Sequence, residues 1–384
     1  MAGLVLLRGA GVLLPEGRIE RADVLVEGGR IAEVGAGLAA PESAQVVDLS
    51  GLTLAPGFID VHVHGGGGHS LLAADSGEVS AHSEWVISRG VTSFLATVCA
   101  LDAEHGIACA EAAAEARCDG AQLLGVNFEG PFVSPQRRGA LPSTWLAQPN
   151  RALLDRLLAS APVRVMTIAP ELDGGLELVA AAAATGVRVS VGHTDATYEI
   201  ARRAFEAGAA HVTHAFNAMR PLHHRDPGPI AAAIEASGVT VEVIADGVHL
   251  HPATVRLLVR ALGRERACLV TDAVTPAGLG AGVFRIGDEE AVMKDGSIRL
   301  PDGTIAGSAA TMDAIVRNAV EWGVADAAGA LEMASAVPAG AAGVGQRKGR
   351  IAAGYDADLV ALSENFGVWG TWVGGRCVYM SEEA

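Results

Sequence analysis

The sequence predicts an α/β protein built around a parallel (β/α)₈ barrel of the TIM type, with small β units at the chain ends. Between residues 54 and 271, eight short apolar runs alternate with alanine-rich segments of helical period. The two ends instead contain short strands separated by glycine-rich or polar turns. Half of the 384 residues are hydrophobic and only 4% are aromatic, which suits helices packed closely on a parallel sheet.

The residues before position 54 are predicted to form short strands of a small β unit. The apolar start of the chain is interrupted at once by Arg8, so we expect a strand there and not a secretory signal. The predicted strands are Val5–Leu7, Val12–Leu14, Val24–Glu27, Ile31–Val34 and Val46–Leu49.

The barrel strands are predicted where apolar runs of four or more residues recur between helical patterns. These runs are Leu54–His64, Val91–Val98, Leu123–Phe128, Arg164–Ala169, Val187–Val191, Ala210–Thr213, Val241–Ala245 and Ala267–Thr271. Clear helical patterns between them are Arg151–Ser160, Leu176–Thr185 and Tyr198–Ala207.

The segment after the eighth strand completes the barrel region and leads into the C-terminal strands. A hairpin-like insert, Phe284–Leu300, is expected to turn at Lys294-Asp295-Gly296. Helices are predicted at Thr311–Trp322 and Leu331–Ala336. The last predicted strands are Ala357–Leu362, Val368–Val373 and Arg376–Met380.

Charge and cysteine content narrow the classes of partner. The formal net charge is −16, which argues against nucleic acid and anionic membranes, and means that an anionic substrate needs a local cationic pocket. Five scattered cysteines without a Cys-x-x-Cys pattern suit reduced thiols and favour a cytoplasmic location. No apolar run is long enough to cross a bilayer.

The first barrel strand carries a His-x-His motif followed by glycines. Because side chains alternate along a strand, His62 and His64 should point to the same side, roughly 6 to 7 Å apart. Two imidazoles so placed can share one metal ion, and the glycines that follow end the strand at a barrel mouth. The alternative is a pair of structural histidines, which we favour for an isolated histidine but not for this pattern.

Three further barrel strands end in side chains that suit a catalytic metal. Glu129 follows the third strand, and His193 and His214 follow the fifth and sixth. Each alone would more often be a cap or core residue, but together they supply the three protein ligands that catalytic zinc takes besides water. His211 lies an odd step before His214, so it should face the opposite side and is interpreted as structural.

The eighth strand ends in Asp272. This aspartate could simply cap the following segment. Its position at the catalytic end of the barrel favours a general base that activates water and later protonates the leaving nitrogen.

Motifs spread over nearly the whole chain resemble the N-acetylglucosamine-6-phosphate deacetylase family of the amidohydrolase superfamily. They occur in the family's order. They are Pro-Gly-Phe-Ile-Asp-Val-His-Val-His-Gly (56–65), Phe-Glu-Gly-Pro-Phe (128–132), Val-Gly-His-Thr-Asp-Ala (191–196), Thr-His-Ala-Phe-Asn-Ala-Met (213–219), His-His-Arg-Asp-Pro-Gly (223–228), Ala-Asp-Gly-Val-His-Leu-His-Pro (245–252), Val-Thr-Asp-Ala (270–273) and Ala-Gly-Ser (306–308).

The resemblance implies a fold and a reaction. The small domain would be a discontinuous β-sandwich made of residues 1–53 and 345–384, with the barrel of residues 54–344 inserted into it. The reaction would be metal-dependent hydrolysis of the acetamide of N-acetyl-D-glucosamine 6-phosphate to D-glucosamine 6-phosphate and acetate, in amino-sugar catabolism. The cofactor would be one or two divalent metal ions per subunit, with zinc favoured and iron, manganese or cobalt as alternatives.

The resemblance also implies roles for individual residues. Glu129, His193 and His214 would hold the main ion, His62 and His64 a possible second one, and Asp272 would be the base and then the acid. Arg225 would reach the phosphate in the neighbouring subunit of a homodimer. The expected sugar pocket comprises Ala140, Asn217, Ala218, His249, Ile305, Ala306, Gly307 and Ser308.

Two positions depart from the family, and two other readings stay open. Asn127 and Leu141 stand where family members often have histidine. One alternative is another amidohydrolase, such as a D-aminoacylase, dihydroorotase or cyclic amidase. The fourth strand ends without the lysine that a carbamylated-lysine bridge needs. The other is a non-catalytic scaffold, which the intact set of ligands and base disfavours.

Overall fold

Two main sheets, each with its own apolar core, organise the molecule. The computed structural model describes residues 3–286, 289–294 and 296–382. In chain order the strands are β1 (Val5–Leu14), β2 (Arg18–Glu27), β3 (Arg30–Gly35), β4 (Gln45–Asp48), β5 (Thr53–Pro56), β6 (Phe58–Val63), β7 (Gly65–Gly66), β8 (His69–Ser70), β9 (Val91–Val98), β10 (Gln122–Phe128), β11 (Val163–Ile168), β12 (Arg188–Val191), β13 (His211–Val212), β14 (Thr240–Val243), β15 (Ala267–Leu269), β16 (Gly282–Ile286), β17 (Glu289–Lys294), β18 (Ser297–Arg299), β19 (Ile305–Ser308), β20 (Leu359–Leu362), β21 (Val368–Val373) and β22 (Arg376–Met380).

Helices lie between most of the barrel strands, as the helical periods predict. They are α1 (Ser76–Val86), α2 (Ala103–Glu115), α3 (Arg151–Ser160), α4 (Gly175–Ala183), α5 (Tyr198–Glu206), α6 (Gly228–Glu235), α7 (Pro252–Leu262), α8 (Met312–Glu321), α9 (Ala327–Met333) and α10 (Ala336–Ala341). The predicted helix Leu331–Ala336 is wrong in extent, because this region forms two helices, α9 and α10.

The barrel is an eight-stranded parallel sheet in the order β15-β14-β13-β12-β11-β10-β9-β6, which confirms all eight predicted strands in sequence. Hydrogen bonds from His64 N to Ala273 O (2.7 Å) and from Asp272 N to His62 O (2.9 Å) join the first strand to the chain after the eighth. The closure of the barrel therefore brings the His-x-His motif directly against Asp272.

The apolar run predicted as a single strand, Leu54–His64, is divided at Gly57. A Cβ atom on Gly57 would lie 2.1 Å from Thr92 Cγ2, so only glycine allows the chain to cross here. As a result β5 joins the sheet of the chain ends, whereas β6 opens the barrel.

Both chain ends share one mixed sheet, in the order β22-β21-β20-β5-β1-β2-β3, with β4 paired to β1. The barrel is thus inserted between the two parts of this sheet. The separate strands predicted at Val5–Leu7 and Val12–Leu14 are wrong, since β1 runs through both with a register shift around Gly9, whose φ is +79°. The domain boundaries at 53/54 and 344/345 stay a prediction, and β5 begins at the first of them.

The insert after the eighth barrel strand is larger than a hairpin. Strands β16, β17, β18 and β19 form a four-stranded antiparallel sheet that extends the insert to Ser308. The predicted turn at Lys294-Asp295-Gly296 includes Asp295, which lies outside the described residues. In the described part of the chain, no helix has both the length and the apolar character needed to cross a membrane.

Candidate active site

A cavity of about 570 Å³ opens where the barrel strands end, and it gathers most of the residues predicted to act. Its lining includes the following predicted site residues: His64, Glu129, Ala140, His193, His214, Asn217, Ala218, His249, Asp272, Ile305, Ala306 and Gly307.

Glu129, His193 and His214 converge on one point in this cavity. Glu129 Oε1 lies 2.8 Å from His193 Nε2 and 2.9 Å from His214 Nε2, and the two nitrogens are 3.0 Å apart. Each residue follows a different strand, β10, β12 or β13. The barrel therefore brings together three potential ligand atoms that are up to 85 residues apart in the sequence.

The geometry of this group fits a divalent cation. His193 Nδ1 lies 2.9 Å from the carbonyl oxygen of Arg137, which can only accept a hydrogen bond, so Nδ1 carries a proton. In a neutral ring the Nε2 lone pair then faces the Glu129 carboxylate at 2.8 Å. Facing lone pairs require a cation or a proton between them, and two imidazoles with one carboxylate are ligands that catalytic zinc takes.

His62 and His64 extend the same cluster from the first strand. Their ring centroids are 5.2 Å apart, in agreement with the predicted common side. His64 Nε2 lies 3.4 Å from Glu129 Oε2, and His62 Nε2 lies 3.6 Å from Glu129 Oε1. His62 Nε2 is buried and has no hydrogen-bond partner among the described residues. Glu129 is thus placed between two groups of histidines, as a carboxylate shared by two ions would be.

Asp272 faces the histidines of the first strand. Its Oδ1 lies 3.3 Å from His64 Nε2 and 3.5 Å from His62 Nε2. Burial acts to raise the pKa of Asp272, but the hydrogen bond from His64 and the charge of His62 outweigh burial and lower it. Asp272 is therefore ionised at neutral pH and can accept a proton.

The pKa values of His62 and Glu129 are also displaced from their usual ranges. For His62, burial lowers the pKa, but the charge and hydrogen bond of Glu242 prevail and raise it to about 9. For Glu129, burial raises the pKa, but His193, His214 and His62 hold it well below its usual range. The carboxylates beside these histidines therefore stabilise positive charge in the cluster.

The backbone is strained where the chemistry is expected. His193, His214 and Asp272 have φ angles of +45°, +22° and +51°, in a region that residues other than glycine rarely adopt. Such strain costs of order 1–3 kcal/mol for each residue and clusters at functional sites. The sharp turns aim these side chains into the cavity instead of along the strands.

Most of the residues predicted to form the sugar pocket line the same cavity as the cluster, and Asp246 holds His249 among them. His249 Nε2 lies 3.7 Å from Asp272 Oδ2, while His249 Nδ1 lies 2.7 Å from Asp246 Oδ2. Ser308, although predicted to line the pocket, is buried and donates its hydroxyl to Asp246 at 3.0 Å. A Cβ atom on Gly307 would lie 2.6 Å from Val274 and 3.0 Å from Asp272 O, so β19 needs glycine to approach the base.

Arg225 lies apart from this cavity in its own chain. It occupies an exposed turn closed by a bridge between His223 and Asp226. The described lining of the cavity does not include it. The predicted role of Arg225 therefore depends on a second subunit.

The two departures from the family differ in their effect. Leu141 lines the cavity, so it changes the pocket surface. Asn127 is buried and donates its side-chain amide to Val61 O at 2.9 Å, across the barrel interior. Asn127 therefore ties strands together.

Several residues of the site were missed in the sequence. Arg138, Arg299 and Cys99 line the cavity, and the two arginines provide the local positive charge that the acidic chain requires. Glu242 lies behind the histidines, completely buried. The signal for Glu242 was available, because an acidic residue between Val241 and Val243 in an apolar strand needs a buried partner.

Comparison with known proteins shows to which family the chain belongs. The sequence pattern of the amidohydrolase family matches residues 53–378. The chain is 36% identical to the N-acetylglucosamine-6-phosphate deacetylase of Bacillus subtilis, over 90% of this chain and 89% of that protein. It is 35% identical to the N-acetylgalactosamine-6-phosphate deacetylase of Escherichia coli O157:H7, over 96% and 98%.

A solved structure is similar over almost the entire chain. It is a mutant N-acetyl-D-glucosamine-6-phosphate deacetylase from Mycobacterium smegmatis in complex with N-acetyl-D-glucosamine 6-phosphate. The TM-score is 0.91 at 36% sequence identity, and the match covers 98% of this chain and 100% of that one. The fold of nearly the whole chain is thus similar to that of the enzyme in this complex.

Proposed function

The chain belongs to the amidohydrolase family, and from that premise we propose that it hydrolyses the acetamide of N-acetyl-D-glucosamine 6-phosphate to D-glucosamine 6-phosphate and acetate. The observation that carries this proposal is the convergence of Glu129, His193 and His214 at 2.8–3.0 Å beside an ionised aspartate. The relatives' names supply the substrate, a phosphosugar.

A divalent metal ion at this cluster would lower the pKa of a bound water molecule to about 7 and polarise the amide carbonyl. Glu129, His193 and His214 would hold it, and His62 with His64 would hold a second ion. Zinc suits these ligands, and iron, manganese or cobalt could also use them.

Asp272 would act first as base and then as acid. Its carboxylate would take a proton from water and return it to the sugar nitrogen as the C–N bond breaks. His249 would hold the sugar beside Asp272, and its 2.7 Å contact with Asp246 supports this role by fixing the ring. Asn217, Ala218, Ala140 and the β19 segment would shape the rest of the sugar pocket.

Arg225 would bind the phosphate in the neighbouring subunit of a homodimer. Its exposed position supports this, because a guanidinium outside its own cavity is free to reach another one. Arginine also matches the bidentate geometry of phosphate. Together with the scattered cysteines, this assignment is consistent with a cytoplasmic homodimer.

The test measures the acetate that purified, metal-supplied protein releases from N-acetylated substrates. We expect turnover of N-acetylglucosamine 6-phosphate at least tenfold faster than of the unphosphorylated sugar or of N-acetyl amino acids. Equal rates on all three would remove the phosphosugar assignment. The C4 epimer, N-acetylgalactosamine 6-phosphate, belongs in the same assay, because a relative at 35% identity is named for it.

A further inference from the structure

Glu242 is a buried carboxylate without a role in the mechanism above. It lies in β14 between Val241 and Val243, and its side chain is fully shielded from solvent in the barrel interior. A buried carboxylate is costly unless it is paired and hydrogen-bonded. The neighbours of Glu242 should therefore reveal what it is for.

Both oxygens of Glu242 are used, and they are used unequally. Oε2 accepts hydrogen bonds from His62 Nδ1 and from the backbone N–H of His214, each at 2.8 Å. Oε1 contacts His211 Nε2 at 3.0 Å. One oxygen therefore contacts two residues of the metal cluster, while the other contacts the structural histidine.

The contact with His62 fixes which ring nitrogen is free. An ionised carboxylate only accepts hydrogen bonds, so Nδ1 of His62 carries the proton. In the neutral ring Nε2 then has a lone pair. That atom is buried, has no hydrogen-bond partner among the described residues, and faces Glu129 and Asp272 at 3.6 and 3.5 Å.

The contact with His214 fixes a strained backbone. His214 has a φ angle of +22°, a value that residues other than glycine rarely adopt. The hydrogen bond from its backbone N–H to Glu242 Oε2 stabilises that turn. With the backbone held in this conformation, His214 Nε2 lies 2.9 Å from Glu129 Oε1.

We propose that Glu242 is the positioning residue of the metal centre, orienting one ligand from the first strand and one from the sixth with a single carboxylate oxygen. This inference rests on the metal dependence proposed above. The partners that orient metal ligands typically contribute about 10- to 100-fold in metal affinity. A role confined to neutralising His211 would use only Oε1, and Oε2 would have no reason to contact both cluster residues.

The experiment compares Zn²⁺ binding by three variants of the full-length protein. Glu242→Leu removes both acceptor oxygens, Glu242→Gln keeps the shape and one acceptor but removes the charge, and Thr240→Val is the matched control. Thr240 lies in the same strand, and its hydroxyl contacts His211 Nδ1 at 2.5 Å and Ala210 O at 3.3 Å; its described hydrogen bonds do not include one to Glu129, His193 or His214. Zn²⁺ affinity is measured against a competing chelator, Zn²⁺ per subunit after desalting, and the melting temperature of each metal-free protein separately.

We expect Zn²⁺ to bind about tenfold more weakly to Glu242→Gln and about 100-fold more weakly to Glu242→Leu, with Thr240→Val unchanged. If Glu242→Leu does not fold, the comparison of Glu242→Gln with Thr240→Val decides alone. Zn²⁺ affinity in the Glu242 variants equal to that of Thr240→Val, even with a lowered melting temperature, would overturn the proposal. Wild-type protein that binds no Zn²⁺ would instead overturn the metal-dependent function.

Discussion

Two buried charged clusters in this molecule are built on opposite principles. Near β20, Lys348 contacts the carboxylates of Asp358 and Asp356, and Asp358 Oδ1 also accepts a hydrogen bond from Gly374 N at 2.8 Å. At the barrel mouth, carboxylates and imidazoles meet with lone pairs facing one another, as for Glu129 and His193. The first cluster is complete, because a permanently charged lysine pairs with its carboxylates. The second is incomplete, because its carboxylates meet imidazoles, which carry no charge when the ring is neutral.

This difference separates a structural site from a ligand site. Lys348 and Asp358 in the first cluster and Glu129 in the second are almost inaccessible to solvent, so burial alone does not distinguish the clusters. What distinguishes them is whether the carboxylates pair with a permanent cation of the chain or with imidazoles that can instead bind a metal ion. Backbone strain follows the same division, since the positive φ angles of His193, His214 and Asp272 belong to the incomplete cluster.

The largest expected effect is on catalysis at the incomplete cluster. Asp272→Asn removes the proton acceptor but keeps the size of the side chain, so we predict that kcat falls about 10³-fold while metal content is unchanged. Steady-state kinetics and metal analysis of the same preparation test this. Turnover within tenfold of wild type would show that Asp272 is not the base.

Substitutions in the complete cluster should lower the stability of the fold and leave catalysis unchanged. Lys348→Met leaves Asp358 buried without its counter-charge, which should destabilise the fold by about 3–5 kcal/mol. Denaturant unfolding measures the loss, and kcat per folded molecule should stay at the wild-type value. Arg347→Gln is the matched control, because its contact with Asp356 is exposed and should contribute no more than about 1 kcal/mol. A Lys348 variant that folds stably but loses activity would contradict the comparison.

The same contrast explains what the sequence could and could not predict. The eight strands follow from apolar periodicity, and the ligands Glu129, His193 and His214 from the rule that barrel chemistry lies at strand ends. Glu242 was missed because its contact with His62 spans 180 residues and its place in β14 resembles an apolar strand. Strand β1 was divided in two because glycines usually interrupt strands, whereas here Gly9 forms an irregularity within one.

Two arginines at the cavity were equally hidden. Arg138 lies in the segment after β10 and Arg299 at the end of β18 in the insert, and no local sequence pattern brings them to one pocket. The positions of such segments depend on tertiary packing, which periodicity does not report. The cationic pocket that the acidic composition required was therefore predicted, but these two arginines were not.

Arg225, Arg138 and Arg299 are three candidates for binding the substrate phosphate, and substituting each one should distinguish them. A charge-assisted hydrogen bond contributes about 1.5–3 kcal/mol, so Arg225→Ala should raise KM for the phosphorylated substrate roughly 10- to 100-fold with little change in kcat. Arg138→Ala and Arg299→Ala are the comparison, since both line the cavity of their own chain. If they raise KM and Arg225→Ala does not, the phosphate is bound within one subunit, and the predicted contribution of Arg225 to a neighbouring site is wrong.

Metal affinity should also depend on pH, and this dependence should be confined to the incomplete cluster. In the metal-free protein the pKa of His62 is raised from 6.5 to about 9, so below pH 9 its ring must release a proton before Nε2 can bind a cation. Affinity for the ion that uses His62 should therefore increase about tenfold per pH unit up to pH 9.

Stability of the metal-free protein should change with pH in the opposite direction to metal affinity. A raised pKa means that the pairing of protonated His62 with Glu242 stabilises the metal-free fold fully below pH 6.5, and that this contribution is lost as the pH rises through 9. Chelator competition with Zn²⁺ and thermal melting of the metal-free protein from pH 6 to 9.5 measure the two trends. His62→Asn should flatten both, and an unchanged pH dependence in that variant would assign the released proton to another group.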